Sequence, residues 1–282
     1  MNIDIERKVA TIGDIQINYI AAGSGPPLLF LHGFPDHSYG WRHQIEALSQ
    51  DFLVLAPDLR GMGLSSAPKG PHHYTMDHLL ADVLAVLAAE GLSEASIVGH
   101  DWGAAIAWWL AIRMPQAVRH LVVLSNPHPR HYLDAVFNPA NAEMLEYIQS
   151  FRAPDAAASL SSEKLSAWVP DEQDRQLLLK TLNDSDLDCM LNYFRANMPS
   201  TKVADLGQLP YVRAPTLVLY GKLDQFAPVE AFQYCHHEID AVSSVVAIPN
   251  AGHFIHHECA QFVTQQIRQW VSQPVSFYKS KQ

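Results

Sequence analysis

Ser96-Ile97-Val98-Gly99-His100-Asp101-Trp102-Gly103-Ala104-Ala105 is a short apolar strand that runs into an aspartate between two glycines and leaves it as a helix. So sharp a turn strains its central residue and brings neighbouring backbones together, which calls for residues without a Cβ at Gly99 and Gly103. The stretch reads as a nucleophile elbow with a carboxylate, Asp101, at its apex. Gly-x-Asp-x-Gly alone is a weak signal, so its surroundings carry the reading. The apolar pair Ile97-Val98 precedes it, while Ile106, Trp109, Leu110, Ile112 and Arg113 follow at helical spacing. Met114-Pro115 then ends the helix, because proline cannot continue one. The competing reading is a loop aspartate that caps a helix N-terminus.

Outward from the elbow the chain alternates strands and helices. Lys8–Ile12 and Ile15–Ala21 alternate apolar and polar residues about Gly13-Asp14, which predicts a hairpin. After the turn Gly23-Ser24-Gly25-Pro26-Pro27, the continuous apolar run Leu28–Leu31 suits a strand buried on both faces of a parallel sheet. Further strands are predicted at Phe52–Leu55, His120–Leu124, Thr216–Tyr220 and Ser244–Ile248. Helices are predicted over Trp41–Leu48, over Asp77–Glu90 with Gly91 as C-cap, and over Glu258–Val271. This alternation requires parallel pairing with right-handed crossovers, hence an α/β fold. Asn126-Pro127-His128-Pro129 breaks the pattern, and from about Arg130 to Pro210 only helical stretches and prolines occur. Nothing in the tail beyond Pro274 obliges it to order.

With 282 residues, 48% of them hydrophobic and 17% charged, the chain can bury one large core and carry an insertion. A formal charge of −10, with no basic cluster to offset it, argues against nucleic acid and anionic membranes as partners. No apolar run approaches the roughly 18 residues that span a bilayer. The acidic start Met1-Asn2-Ile3-Asp4-Ile5-Glu6 lacks a signal peptide's basic and apolar regions, so a cytoplasmic protein is expected. Cys189, Cys235 and Cys259 form no CxxC pair and are expected as reduced thiols. His253, His256 and His257 stand at i, i+3 and i+4, a spacing metal sites use, yet no accompanying Glu or Cys pattern supports one. No metal and no cofactor is expected.

The elbow Gly99-His100-Asp101-Trp102-Gly103, together with His32-Gly33-Phe34-Pro35, resembles the epoxide hydrolases and haloalkane dehalogenases of the α/β-hydrolase fold, over about residues 8 to 272. The run from Phe34-Pro35-Asp36 through Trp41-Arg42-His43-Gln44 is more similar to the epoxide hydrolases. Haloalkane dehalogenases often carry a halide-binding asparagine where this chain has Phe34. The resemblance implies an α/β-hydrolase core domain over 1–129 and 211–282, a mostly parallel sheet with helices on both faces, and an inserted helical cap domain over 130–210. It also implies an oxyanion hole made by the backbone N–H groups of Phe34 and Trp102. His32, Pro35, Phe194 and Phe254 are expected to contact the substrate.

Two further residues stand at strand ends, where open α/β sheets place their sites. Asp224 follows the strand Thr216–Tyr220 and His253 follows Ser244–Ile248, which gives the hydrolase chain order of nucleophile, acid, base. Asn126 occupies the neighbourhood where some relatives of the dehalogenase type carry their acid. A carboxylate with a pKa near 4 is ionised at pH 7 and needs no base to activate it. Attack on an acyl carbon would give only a reactive anhydride, whereas a strained or halogenated sp³ carbon gives an ordinary ester that a second step can hydrolyse. Epoxides and alkyl halides are therefore the natural substrates, and the resemblance implies the former: opening of an epoxide to a vicinal diol through an ester on Asp101. His253, oriented by Asp224, would take a proton from the water that cleaves the ester. A haloalkane dehalogenase using the same nucleophile, or a ligand-binding protein with a vestigial triad, are the alternatives. The expected partners are a small hydrophobic epoxide and water, with the chain a monomer or homodimer.

An epoxide oxygen needs a proton donor. Tyr147 shares a helical stripe with Met144, Ile148 and Phe151, and by resemblance it sits close to the family's first ring-opening tyrosine. The family's second such tyrosine immediately precedes an arginine, but in Leu191-Asn192-Tyr193-Phe194-Arg195 that place is taken by Phe194. Tyr193 lies about 100° around the helix from it. Three readings stay open: Tyr147 acts alone, Tyr193 substitutes through a shifted helix, or the substrate is not a simple epoxide. Haloacetate dehalogenases carry arginines one and four residues after the nucleophile. Trp102 and Ala105 stand there instead, which argues against haloacids.

Overall fold

The computed structural model describes residues 5–199 and 209–274. An eight-stranded sheet in the order β1-β2-β4-β3-β5-β6-β7-β8 forms its centre. The expected hairpin is β1 (Ile5–Ile12) and β2 (Ile15–Ala22), in register from Ile5↔Ala22 to Ile12↔Ile15. β2 pairs antiparallel with β4 (Leu53–Pro57). Every later pairing, through β3 (Pro27–Leu31), β5 (Ala95–His100), β6 (Val118–Leu124), β7 (Thr216–Gly221) and β8 (Ser243–Ile248), is parallel.

Connections between the parallel strands are helical, as parallel pairing requires. α1 (Arg42–Leu48), α2 (Met76–Ala89) and α3 (Trp102–Arg113) fall within the first half, and Gly91 follows α2 with φ +69° as the predicted C-cap. Between β6 and β7 come α4 (Pro129–Val136), α5 (Glu146–Arg152), α6 (Ala156–Ser159), α7 (Ser162–Ser166), α8 (Glu172–Asp184), α9 (Leu187–Met190) and α10 (Asn192–Asn197). No strand lies among the described residues of 130–210, while 200–208 fall outside the description, as does the tail after Pro274. The helix expected over Glu258–Val271 is α12 (Ala260–Val271), and a single further turn, α11 (Ile255–Glu258), precedes it.

Successive side chains of a strand point to opposite faces, and the unbroken apolar strands therefore feed two cores. Leu28 and Phe30 of β3 pack on one face with Ile45 and Leu48 of α1 and Val263, Ile267 and Trp270 of α12. Leu29 and Leu31 point to the other face, toward Leu79, Leu80 and Val83 of α2 and Ile106 and Leu110 of α3. This second core continues into Ile148, Leu178 and Met190 of the inserted helices, so the insertion is packed onto the core and not hung from a linker. Cys189, Cys235 and Cys259 are free thiols. Among the described residues no helix is long and apolar enough to cross a membrane.

Candidate active site

Asp101 leaves β5 with φ +52° and ψ −117°, a conformation that costs a non-glycine residue about 1–3 kcal/mol. Its surroundings hold it there. Its N–H donates to the Leu124 carbonyl at 3.2 Å, and its carbonyl accepts from Ala105 N at 3.0 Å and from Asn126 Nδ2 at 3.1 Å. A Cβ on Gly103 would lie 2.1 Å from the Leu31 carbonyl, and one on Gly99 would lie 2.4 Å from the Gly103 carbonyl. Gly33 matters equally, since a Cβ there would meet the Asp101 side chain at 2.4 Å. The loop after β3 can thus press against the carboxylate, and Phe34 N–H donates to Asp101 Oδ1 at 2.8 Å. Trp102 opens α3, so its amide is among the N–H groups that a helix leaves without an intrahelical acceptor. Of the two amides expected as an oxyanion hole, that of Phe34 donates to the carboxylate, and that of Trp102 follows Asp101 directly in the chain.

The loops after β7 and β8 bring in the other two members of the expected triad. His253 Nδ1 lies 2.8 Å from Asp224 Oδ2, and Nε2 lies 3.5 Å from Asp101 Oδ2. Asp224 is buried, and its other oxygen accepts from the N–H groups of Phe226 and Ala227 at 2.8 and 3.1 Å. A carboxylate anchored by two amides can only accept, which fixes the proton of His253 on Nδ1. Burial alone would lower the His253 imidazole, but the carboxylates of Asp224 and Asp101, one at each nitrogen, raise it to about 10. Burial would likewise raise the Asp101 carboxyl, but its pairing with His253 and the Phe34 N–H hold it below the usual value. His100 sits behind this pair. Burial and the neighbouring His253 lower it to about 3, and its neutral ring donates from Nε2 to the His253 carbonyl at 3.0 Å.

Two cavities meet at Asp101, Tyr147 and Phe194. The larger, about 490 Å³, extends past Trp102, Trp109, Tyr132 and Met198. The smaller, about 170 Å³, is enclosed by Pro35, Trp168, Phe226, His253 and Phe254. Trp168 stacks on Phe254 with ring centroids 3.5 Å apart, so the inserted helices roof the histidine loop. Phe194 meets Phe34, Trp102 and Phe151 edge to face at 5.6, 5.1 and 5.1 Å, an apolar wall beside the carboxylate. The Tyr147 hydroxyl donates to the Phe226 carbonyl at 3.1 Å and lies 3.4 Å from the hydroxyl of Tyr132.

The structure brings Asp101, Asp224, His253, Tyr147, Phe34, Trp102, Pro35, Phe194 and Phe254 together. Two expected residues lie elsewhere. Tyr193 is fully buried, its hydroxyl donates to the Arg60 carbonyl at 2.8 Å, and it borders neither cavity. No helix shift turns it back; the roughly 100° between neighbouring helical positions directs it to Tyr74 and Arg60 while Phe194 faces the site. His32 is corrected for a similar reason. Its Nδ1 donates to the Gly33 carbonyl and its Nε2 accepts from Leu59 N–H, both at 2.9 Å, so the ring braces two loops under the cavity floor and touches no substrate space.

Sequence reading missed Tyr132. It follows the Asn126-Pro127-His128-Pro129 break; Pro129, Tyr132, Leu133 and Val136 stand at i, i+3, i+4 and i+7, a spacing that gives α4 an inward face without saying that this face borders the carboxylate. The i, i+3, i+4 histidines also divide. His253 turns to the carboxylates, whereas His256 and His257 place Nε2 atoms 3.5 and 3.2 Å from Asp36 Oδ2. These three could surround a cation. Arg42 N–H, however, points at His257 Nδ1 from 3.3 Å. That leaves the His257 proton on Nε2, directed at Asp36, where a metal ligand would need a free lone pair.

Residues 26–260 match the family model described as alpha/beta hydrolase fold. "Epoxide hydrolase 3" of Xenopus tropicalis is 30% identical over 285 residues, covering 92% of this chain and 75% of that protein. "Epoxide hydrolase 4" of Mus musculus is 33% identical and covers 77% of this chain and 65% of its own. A Bacillus megaterium epoxide hydrolase solved in complex with an inhibitor superposes with a TM-score of 0.86 at 27% identity, over 94% of this chain and all of that one.

Proposed function

We propose, for a chain that belongs to the α/β-hydrolase fold family and within it to the epoxide hydrolases, that Asp101 opens the ring and His253 with Asp224 hydrolyses the resulting ester. The observation that carries this reading is the ionised Asp101 carboxylate, 3.5 Å from a histidine that a second carboxylate orients. Oδ2 of Asp101 forms a bond to one ring carbon, the carbon–oxygen bond breaks, and its electron pair stays on the oxygen, which takes a proton from Tyr147. Esterification removes the negative charge that helped keep His253 protonated. The imidazolium proton then restores the phenol through solvent, and the neutral ring becomes a base. Water attacks the ester carbonyl carbon while His253 takes its proton. Negative charge builds on the carbonyl oxygen beside the amides of Phe34 and Trp102, as an oxyanion hole requires. Collapse releases the diol and returns Asp101 as carboxylate and His253 as imidazolium, so the cycle balances without a cofactor.

Two phenol hydroxyls bordering the same cavity as the carboxylate favour an epoxide oxygen over a halide as the leaving group. The lining of Trp102, Trp109, Phe194 and Met198 favours a hydrophobic substrate. Residues 130–210 act as the cap over a core of 1–129 and 211–282, and the three free thiols support a cytoplasmic location. A single turnover in ¹⁸O-water tests the route, with mass spectrometry of the peptide containing Asp101. Label is expected in that carboxylate; label in the diol alone would mean direct attack of water on the ring and would sink the assignment.

A further inference from the structure

The hydroxyls of Tyr132 on α4 and Tyr147 on α5 lie 3.4 Å apart, and both residues line the larger cavity with Asp101. Each phenol has one proton. Tyr147 directs its own to the Phe226 carbonyl at 3.1 Å, so the contact between the hydroxyls is made by the proton of Tyr132. The other candidates for a second donor are disqualified. Phe194 has no hydroxyl, Tyr193 is spent on the Arg60 carbonyl, and the Asn126 amide is engaged by the carbonyl of Asp101. A single oxygen placed against the pair could accept from both at ordinary O–H···O distances of about 2.7–2.8 Å.

We propose that Tyr132 is the second hydroxyl that receives the epoxide oxygen, taking the part for which the sequence offers only phenylalanine at position 194. The inference rests on the epoxide-opening reading above. It also answers a difficulty in that reading. Burial raises both phenols; the neighbouring Tyr132 raises Tyr147 further, and the charges of Asp101 and Asp224 add to both, which makes a lone phenol a reluctant acid in this cavity. With two, one hydroxyl transfers its proton to the oxygen as the carbon–oxygen bond breaks, and the other donates to the phenolate left behind. The Asp101 charge that opposed the transfer is consumed in the same step, because that oxygen is then bonded to carbon. The phenolate is reprotonated at the expense of the His253 imidazolium, so no further reactant is needed.

The test separates ester formation from ester hydrolysis by rapid mixing of an aryl epoxide with excess enzyme and quench mass spectrometry of the Asp101 peptide. Tyr132→Phe keeps the ring and its packing, and its melting temperature should stay close to that of the parent. Ester formation is expected to slow about tenfold, somewhat less than the loss of a tuned oxyanion donor, while hydrolysis of the ester is unchanged. Phe194→Tyr added to Tyr132→Phe is expected to recover part of the rate, which a merely structural role for Tyr132 would not allow. If Tyr132→Phe forms the ester at the parental rate while Tyr147→Phe does not, the proposal is overturned and the epoxide reading stands. Equal slowing of both steps would also overturn it. If the unaltered protein forms no ester with any epoxide, the reading beneath it fails as well.

Discussion

Nε2 of His253 stands 3.5 Å from Oδ2 of Asp101, while Nδ1 of the same ring is held 2.8 Å from Asp224. The short contact orients the ring, and the longer one keeps Nε2 beside the carboxyl group that becomes the ester. His253→Gln should therefore still form the ester and fail to hydrolyse it, so that the protein gains the mass of one epoxide and keeps it. Asp101→Asn should gain none, with turnover reduced by about 10⁴-fold or more, as for loss of a catalytic nucleophile. An unmodified His253→Gln protein, beside a parent that turns over, would refute the division of labour.

Asp224→Asn tests the orienting role. The amide preserves the volume, and its oxygen could still accept from the N–H groups of Phe226 and Ala227. Its NH₂ would then face His253 Nδ1 and favour the tautomer that presents a proton to the ester. Loss of hydrolysis on the order of 10³- to 10⁴-fold is expected with ester formation nearly intact; a loss below tenfold in quenched-flow hydrolysis rates would contradict it.

The two carboxylates hold the His253 imidazole up to about 10 in the free enzyme. The raised value means that the ring is charged throughout the neutral range and loses its proton only as pH climbs through that value. Once Asp101 is an ester, one of the two anions is gone and the proton must be released at lower pH. Single-turnover ester hydrolysis should accordingly rise with pH and reach its plateau well below the midpoint of the His253 NMR titration in the free enzyme. Coincidence of the two midpoints would show that Asp101 contributes nothing to the shift.

Gly103→Ala puts a Cβ 2.1 Å from the carbonyl of Leu31 and 2.5 Å from that of His32. Both obstacles are backbone in the sheet's centre and cannot rotate aside. Destabilisation of about 3 kcal/mol or more is expected, at the upper end of overpacking costs, read from chemical denaturation. A parental midpoint would show that the elbow can move away from β3.

Tyr193→Phe removes the hydroxyl that satisfies the buried Arg60 carbonyl. A loss of about 1–3 kcal/mol of stability is expected from the orphaned acceptor, with the rate of ester formation preserved. A large fall in that rate with stability unchanged would return Tyr193 to the site.

The triad was legible because each member is announced locally: Asp101 by glycines at a strand-to-helix turn, Asp224 and His253 by the ends of apolar strands. The cap residues were harder for a physical reason. Helical spacing predicts relative direction, and it correctly separates Tyr193 from Phe194 by about 100°, but which of the two faces the carboxylate depends on how α10 seats against Tyr74 and Trp102. Tyr132 was missed although it stands on the apolar stripe of α4 with Pro129, Leu133 and Val136, because that spacing marks an inward face and not what the face meets. His32 misled because a histidine beside an active-site glycine carries no sign that both its nitrogens are bound by backbone.

The carboxylate that attacks and the hydroxyls that receive the oxygen fix the line of the breaking bond. A bound epoxide would then keep a single freedom, rotation about that line, and the unequal spaces of about 490 and 170 Å³ that meet at Asp101 would limit it. A substituent that outgrows the smaller would fit the larger alone. Mirror-image epoxides would direct that substituent to opposite arms, so one of the pair meets Asp101 with its carbon–oxygen bond aligned and the other does not. Under the proposed mechanism, the unequal arms would turn over mirror-image epoxides at different rates, which chiral chromatography of a partly consumed racemate would measure.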